Sequence, residues 1–513
     1  MNNGKNSTEN FDVIVTGGGP AGSTVASFIA MEGNKVLLLE REKFPRHQIG
    51  ESLLPATING ICVMLGVSEE LAKANFTYKL GGTYRWGRHP EPWSFTFGPS
   101  SMIPGSQAFA YQVERMKFDH ILLNNARRKG VDVREQHTVT EVLEEGGRVV
   151  GVSFNDDQGQ KKTAKARYVI DASGNTTTLS RTVGERIYSK FFQNVALFCY
   201  FKDGKRLPPP YSGNILSEAF SEGWCWYIPL SSELTSVGAV VAREHADRLK
   251  AGPEAAMQHF LNSTVMVKDF LSSATRIIEG PYGQYRIRKD YSYCNTRFWA
   301  PGALLIGDAA CFVDPVFSSG VHLATYSALL AARSVNSCLR GEIGEERSFN
   351  EFEERYRREF SNFYQFLVAF YDMDKDMDSY FWSARKVLNT EERANDAFIR
   401  LVSGTSFTGE PLFSNAAEFF QAHVGVGDLF RTAYEEAANP IDDRNFDISK
   451  FDIAKFNPKD FIRDFRRGIV GLIRQAQTGT HRREAPVFDG GLISSSNGLS
   501  WMEPAEGDAA AGD

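Results

Sequence analysis

A strand, a glycine turn, a helix and a second strand follow one another between Phe11 and Glu40, and that order limits the folds open to the chain. Phe11–Thr16 is a short β-branched run that ends in Gly17-Gly18-Gly19-Pro20-Ala21-Gly22. Small and apolar residues at helical spacing continue from Ser23 to Met31, and Lys35–Glu40 is an apolar run closed by an acid. The segment predicts a complete βαβ unit with G-x-G-x-x-G spacing. A lone glycine motif is weak; the flanking strand and helix, and an acid about 20 residues past the first glycine, supply the context. Gly17, Gly19 and Gly22 allow a tight turn, close approach of a pyrophosphate and close helix–strand packing. The helix N-terminus offers free N–H groups to phosphate, and Glu40 is placed to accept hydrogen bonds from an adenosine ribose.

With 513 residues, the chain is long enough for two or three packed units. Hydrophobic residues make up 42% and a net charge of −6 gives no basic field, so nucleic acid is not expected as a partner. Met1–Asn10 is polar, and no run of about 18 apolar residues suggests a membrane span. The six cysteines (Cys62, Cys199, Cys225, Cys294, Cys311, Cys338) are scattered without C-x-x-C spacing. Neither structural zinc nor a disulfide framework is expected, and a cytoplasmic location is.

Tyr168–Gly174 reads as a strand entering a small-residue turn, and Ala303–Asp308 as a buried strand ending in Gly-Asp, followed by a helical run from Val321 to Leu339. These are returns to the same nucleotide domain, expected in three parts: 10–75, 113–188 and 293–342. Stretches 76–112 and 189–292, rich in alternating aromatics, predict an inserted second sheet. A helical region is expected over 343–493, where Phe349, Phe352, Tyr356, Phe360, Phe363, Leu367 and Phe370 form one stripe. The Ser/Gly-rich and Ala/Gly-rich tail, 494–513, is expected to be disordered. The fold class is therefore α/β, with a helical C-terminal region.

The GGGPAG loop, Gln112–Asp119, Asp171–Gly174 and Gly307-Asp308 together resemble the FAD-dependent monooxygenase superfamily of the para-hydroxybenzoate hydroxylase type. Three further features resemble its flavin-dependent halogenases. They are Trp224-x-Trp226-x-Ile228-Pro229, Lys79 in Tyr78–Gly82, and the loop Asp314–Val321, with Arg46–Pro55 also matching. The resemblance spans nearly all of 10–390. It implies FAD contacts from Gly17, Gly19, Ala21, Gly22, Glu40, Arg46, Ile49, Arg115, Asp308 and Val321. It implies chloride held by the backbone N–H groups of Ser319 and Gly320, as in other anion nests. Reduced FAD, dioxygen and chloride would then make hypochlorous acid. Trp224 and Trp226 would wall the flavin from the organic substrate, and Lys79 would hold the oxidant or form a chloramine. A lysine does this best when desolvation lowers its pKa. Taken alone, paired tryptophans are usually core and a lysine usually solvated; their combination carries the reading.

Tryptophan halogenases carry a glutamate where this chain has Phe317. Without that acid an electron-rich ring is expected as substrate, and the resemblance favours a tyrosyl-like phenol tethered to a carrier protein in natural-product biosynthesis. No second dinucleotide loop is visible, so a separate flavin reductase is expected to supply reduced FAD. The alternative is an FAD-dependent aromatic hydroxylase on the same fold; a reductase of the geranylgeranyl type and a scaffold that binds no FAD are remoter readings.

Overall fold

The computed structural model describes residues 8–88, 91–98, 103, 107–177, 179–289, 292–407, 412 and 486–504. Its nucleotide sheet runs in the order Trp299–Ala300, Ala303–Leu305, Lys161–Asp171, Glu9–Thr16, Val36–Glu40, Asp132–Glu135. The last five strands are mutually parallel. Parallel strands are covered on both faces, which explains why Val13–Val15 and Val36–Leu39 are continuously apolar and fully buried. The helices Pro20–Met31 and Ser319–Arg340 pack together beside the sheet. Thr16, Glu40 and Asp171 all lie at strand C-termini, the end where open α/β sheets bind ligands.

The second sheet is ordered Thr275–Arg276, Asn194–Lys202, Leu234–Ala242, Gly223–Pro229, Ile215–Phe220, Gly81–Arg85, Trp93–Thr96, with Arg286–Lys289 also paired to Asn194–Lys202. Thr77–Lys79 and Ala110–Gln112 form a separate antiparallel pair. Side chains alternate along a strand, so Trp224, Trp226 and Ile228 share one face of Gly223–Pro229 and join the main core. Cys225 and Tyr227 face the other way, into a smaller core with Met257 and Phe260 of the helix Pro253–Asn262.

The Phe stripe lies on the helix Glu345–Phe370, and all seven of its residues are buried. Met377–Val387 and Ala394–Ser403 pack on it as shorter helices. The rest of the helical region expected to 493, apart from Leu412 and 486–493, lies outside the described residues, as does 505–513. The expectation of disorder from 494 fails for its first part. Ile493–Ser494 pairs with Trp501–Met502, and Trp501 is 1% exposed, with Arg333 and Arg355 over its ring. One indole buries enough surface to order a stretch whose glycines and serines form only its turn.

Among the described residues no helix is long and apolar enough to cross a membrane. No group of three or more His, Cys, Asp or Glu there could hold a metal ion.

Candidate active site

A cavity of about 550 Å³ opens where the strand ends of the nucleotide sheet meet the second sheet. Its lining runs from Gly17, Gly19, Ala21 and Glu40 through Arg46, Ile49, Arg115 and Asp308 to Gly320, Val321, Trp224 and Trp226. Lys79, Gly22 and Ser319 are not part of that wall.

The glycine turn is built by close backbone approach. Gly17 has φ +98°, and a Cβ there would lie 2.5 Å from the Ala172 carbonyl oxygen. A Cβ on Gly22 would lie 1.8 Å from the Gly17 carbonyl oxygen, so Gly22 shapes the turn from behind. Glu40 is 5% exposed; its Oε2 accepts from the Gly18 N–H at 2.6 Å and its Oε1 from the Glu42 N–H at 2.8 Å. Each oxygen retains a lone pair for a hydroxyl donor.

Two guanidinium groups share Asp119. Arg115 binds it bidentately (Nε to Oδ1 2.7 Å, Nη2 to Oδ2 2.9 Å), and Arg46 Nη1 donates to Oδ2 at 3.0 Å. Arg115 also donates to the Ile49 carbonyl, tying the Arg46–Ser52 segment to the helix Arg115–Arg128. Asp308 is pushed up to about 6 by burial, with Arg115 and Arg186 opposing. A glycine cradle, a ribose acceptor, a helix N-terminus and two cations on one cavity suit the pyrophosphate and adenosine of FAD.

Trp224 and Trp226 lie 6.2 Å apart by ring centroids, inclined at 54°. Trp226 Nε1 donates to Ser236 Oγ at 3.2 Å, and its ring rests over Gly238. Trp224 Nε1 donates to Tyr371 Oη at 2.8 Å, which donates to Asp314 Oδ2 at 2.9 Å. Burial pushes Asp314 up to about 6, against donors from Tyr371, Val316 and Asn194. Asp314 thereby anchors the loop that leads, through Ser318 at φ +62°, into the helix Ser319–Arg340. Ser319 and Gly320 begin that helix, where backbone N–H groups lack intrahelical acceptors, and the buried Ser319 Oγ has no hydrogen-bond partner among the described residues.

Phe317 packs against Phe370 (4.5 Å between centroids), Phe366 (5.1 Å) and Tyr84 (6.0 Å). Its ring belongs to the aromatic core beneath the C-terminal helices, and it does not line the cavity.

Lys79 is 3% exposed; its Nζ donates to the Leu53 carbonyl at 2.9 Å and lies 5.4 Å from the centroid of the Phe97 ring. Burial, with no carboxylate among the described residues to offset it, pushes the amine down to about 7. Leu53 follows Ser52, which lines the cavity, so Lys79 stands just behind the wall.

Four groups at this site were not among the expected site residues, Glu51, Tyr200, Asp314 and Tyr371, although Glu51 and Asp314 lie within the segments Arg46–Pro55 and Asp314–Val321. Glu51 lies on the cavity, 2% exposed, in the run Gly50-Glu51-Ser52. Nothing in its spacing separates it from a surface acid, and Tyr371 lies 57 residues from its partner Asp314.

A family model described as tryptophan halogenase matches residues 12–106 and 101–436. A tryptophan 2-halogenase of Chondromyces crocatus is 33% identical over 411 residues, 78% of this chain and 76% of that protein. A 1H-pyrrole-2-carbonyl-[peptidyl-carrier protein] chlorinase of Pseudomonas fluorescens is 30% identical over 390 residues, covering 72% and 85%. Among solved structures, the myxobacterial chondrochloren halogenase, described as a new variant of FAD-dependent halogenases, shares 55% identity at a TM-score of 0.72, covering 96% of this chain and all of that one. The glycine cradle, the paired tryptophans and these matches lead to one statement: the chain belongs to the flavin-dependent halogenases.

Proposed function

We propose that this halogenase chlorinates an electron-rich phenol of the tyrosyl type while it is tethered to a carrier protein, with Lys79 relaying the chlorine. When bound, reduced FAD would activate dioxygen, which would supply the oxidising equivalent that turns chloride into hypochlorous acid. The observation that carries the reading is the Lys79 amine, buried behind the cavity wall and pushed down to about 7. Near neutral pH such an amine has a lone pair available to hold or accept electrophilic chlorine.

Gly17, Gly19, Ala21 and Gly22 would cradle the pyrophosphate, Glu40 the ribose, and Arg46, Ile49, Arg115, Asp308 and Val321 the remaining flavin contacts. The N–H groups of Ser319 and Gly320 and the Ser319 hydroxyl would hold chloride at the helix N-terminus. Trp224 and Trp226 would keep the ring to be chlorinated away from the flavin.

Phe317 supports the choice of ring. Its place in the aromatic core leaves no carboxylate there to polarise an indole, whereas a phenol is activated by its own oxygen. A relative that acts on a carrier-bound pyrrole supports the tether. A separate flavin reductase would supply reduced FAD.

The test combines the purified chain with FAD, a flavin reductase, NADH and chloride. Free tyrosine, carrier-bound tyrosyl and free tryptophan are offered, and products are read by mass and chlorine isotope pattern. Chlorinated carrier-bound tyrosyl is expected. Chlorinated tryptophan with untouched tyrosyl would overturn the substrate reading, and a gain of oxygen without chlorine would favour a hydroxylase.

A further inference from the structure

Glu51 is a buried acid on the cavity for which the reading above has no use. Its Oε1 accepts from the Tyr200 hydroxyl at 2.8 Å, while its Oε2 is buried and makes no well-formed hydrogen bond among the described residues, with the Ser236 hydroxyl nearby. An orphaned carboxylate oxygen on a cofactor cavity asks for a ligand or a proton. Tyr200 Oη lies 2.8 Å from His47 Nε2, and the half-buried His47 ring stands among Arg46, Arg115, Arg286 and Arg288. The single phenolic hydrogen goes to Glu51, so His47 Nε2 carries the hydrogen of the second bond. Three groups thus form one directed line that ends at the cavity.

We propose that His47, Tyr200 and Glu51 form a proton-transfer chain, with Glu51 giving protons to, and taking them from, oxygen atoms that react in the flavin cavity. The inference rests on the FAD chemistry of the halogenase family and on no particular organic substrate.

The electrostatics fit this role. Burial pushes Glu51 up to about 7, with Ser236, Tyr200 and Arg115 pulling it down and Glu114 pushing it further up. Glu114 is itself held by the Tyr282 hydroxyl at 2.9 Å. An acid near 7 both gives and takes protons at neutral pH. His47 is pushed down to about 4 by burial first and then by the four arginines, so it conducts as a neutral imidazole by exchanging tautomers. Burial and Glu51 keep Tyr200 a phenol, which passes a proton in concert rather than standing as a phenolate.

The transfers balance without any electron changing hands. A proton leaving Glu51 Oε2 for a cavity oxygen is replaced at Oε1 from Tyr200. Tyr200 takes the His47 Nε2 proton, and the ring takes one from water at Nδ1. Ser236, which accepts from Trp226 Nε1, also favours the charged Glu51. Ser236 therefore links the acid to Trp226.

Two measurements test the chain. In the protein without FAD, infrared difference spectra across pH 5 to 9 should show a protonated-carboxyl band that titrates near 7. The band should vanish in Glu51→Gln and shift in Tyr200→Phe. With FAD bound, reduced and mixed with oxygen and chloride, Glu51→Gln should slow the return of oxidised flavin roughly 10²-fold and flatten its pH profile. Tyr200→Phe should slow it in the same direction and abolish its solvent deuterium isotope effect. No carboxyl band, or wild-type rate and pH profile in a Glu51→Gln chain that binds FAD, would overturn the proposal. If Glu51→Gln fails to fold or bind FAD, Tyr200→Phe decides alone: wild-type rate and isotope effect there overturn it. Wild-type chain that reoxidises flavin normally but chlorinates no phenol would refute the substrate reading and leave this proposal standing on its own measurements.

Discussion

Trp224 and Asp314 are joined through one phenol, for Tyr371 accepts the indole hydrogen at 2.8 Å and donates to the carboxylate at 2.9 Å. Trp224 belongs to the second sheet, Asp314 begins the loop before the helix Ser319–Arg340, and Tyr371 caps the helix Glu345–Phe370. Three units of the fold meet at that hydroxyl, at the wall of the cavity.

Tyr371→Phe removes both bonds and leaves the ring in place. An indole N–H and a buried carboxylate then each lose a partner, at about 1–3 kcal/mol for a buried group left unsatisfied. Denaturant melts should show that loss, and tryptophan emission should change as Trp224 is released.

Asp314 also makes stability depend on pH. Its pKa is raised from 3.8 to about 6, so between those values the native chain holds a proton that the unfolded chain has lost. Its contribution to stability therefore falls as pH rises through this window. Asp314→Asn should flatten the curve of stability against pH there, in part only, because Asp308 is raised in the same direction.

Lys79 has the opposite slope. With its pKa lowered from 10.5 to about 7, the unfolded chain holds the extra proton between those values, so stability rises with pH across them. Lys79→Met should remove that rise. The proposed relay further requires that Lys79→Met and Lys79→Arg both lose chlorination by roughly 10²-fold or more with FAD affinity intact, since arginine stays protonated. Full chlorination in either variant would sink the relay.

Gly238 holds the second tryptophan. A Cβ there would lie 2.3 Å from Trp226 Cζ2, and that ring is packed against Phe198. Gly238→Ala should cost about 1–3 kcal/mol by overpacking and turn Trp226 off its position, seen as altered tryptophan emission.

Gly22→Ala places a methyl group 1.8 Å from the Gly17 carbonyl oxygen. The turn cannot keep its shape, and FAD binding, read from flavin absorbance on the purified protein, should be lost.

The βαβ unit was legible because each of its signals is local: apolar runs, glycine spacing and a closing acid lie within 30 residues, Phe11 to Glu40. The Phe stripe of Glu345–Phe370 was legible for the same reason, since helical period alone predicts its buried face. Trp501 shows where such reading fails. Its surroundings look like a disordered tail, but its ring packs between arginines of two distant helices, which no window around position 501 contains.

Sequence alone determined the nucleotide half of the molecule, because motif spacing and side-chain alternation are properties of neighbours along the chain, whereas Trp224, Trp226 and Lys79 were singled out only by resemblance to a family. Only the tertiary structure decided which environment each group has. It set Lys79 behind the cavity wall, bonded to the Leu53 carbonyl, locked Phe317 into the aromatic core, and brought Glu51, Tyr200 and His47 into one line. Desolvation and hydrogen bonding depend on residues far apart in the chain, and burial is what pushes the Lys79 amine down and the Glu51 carboxyl up to about 7.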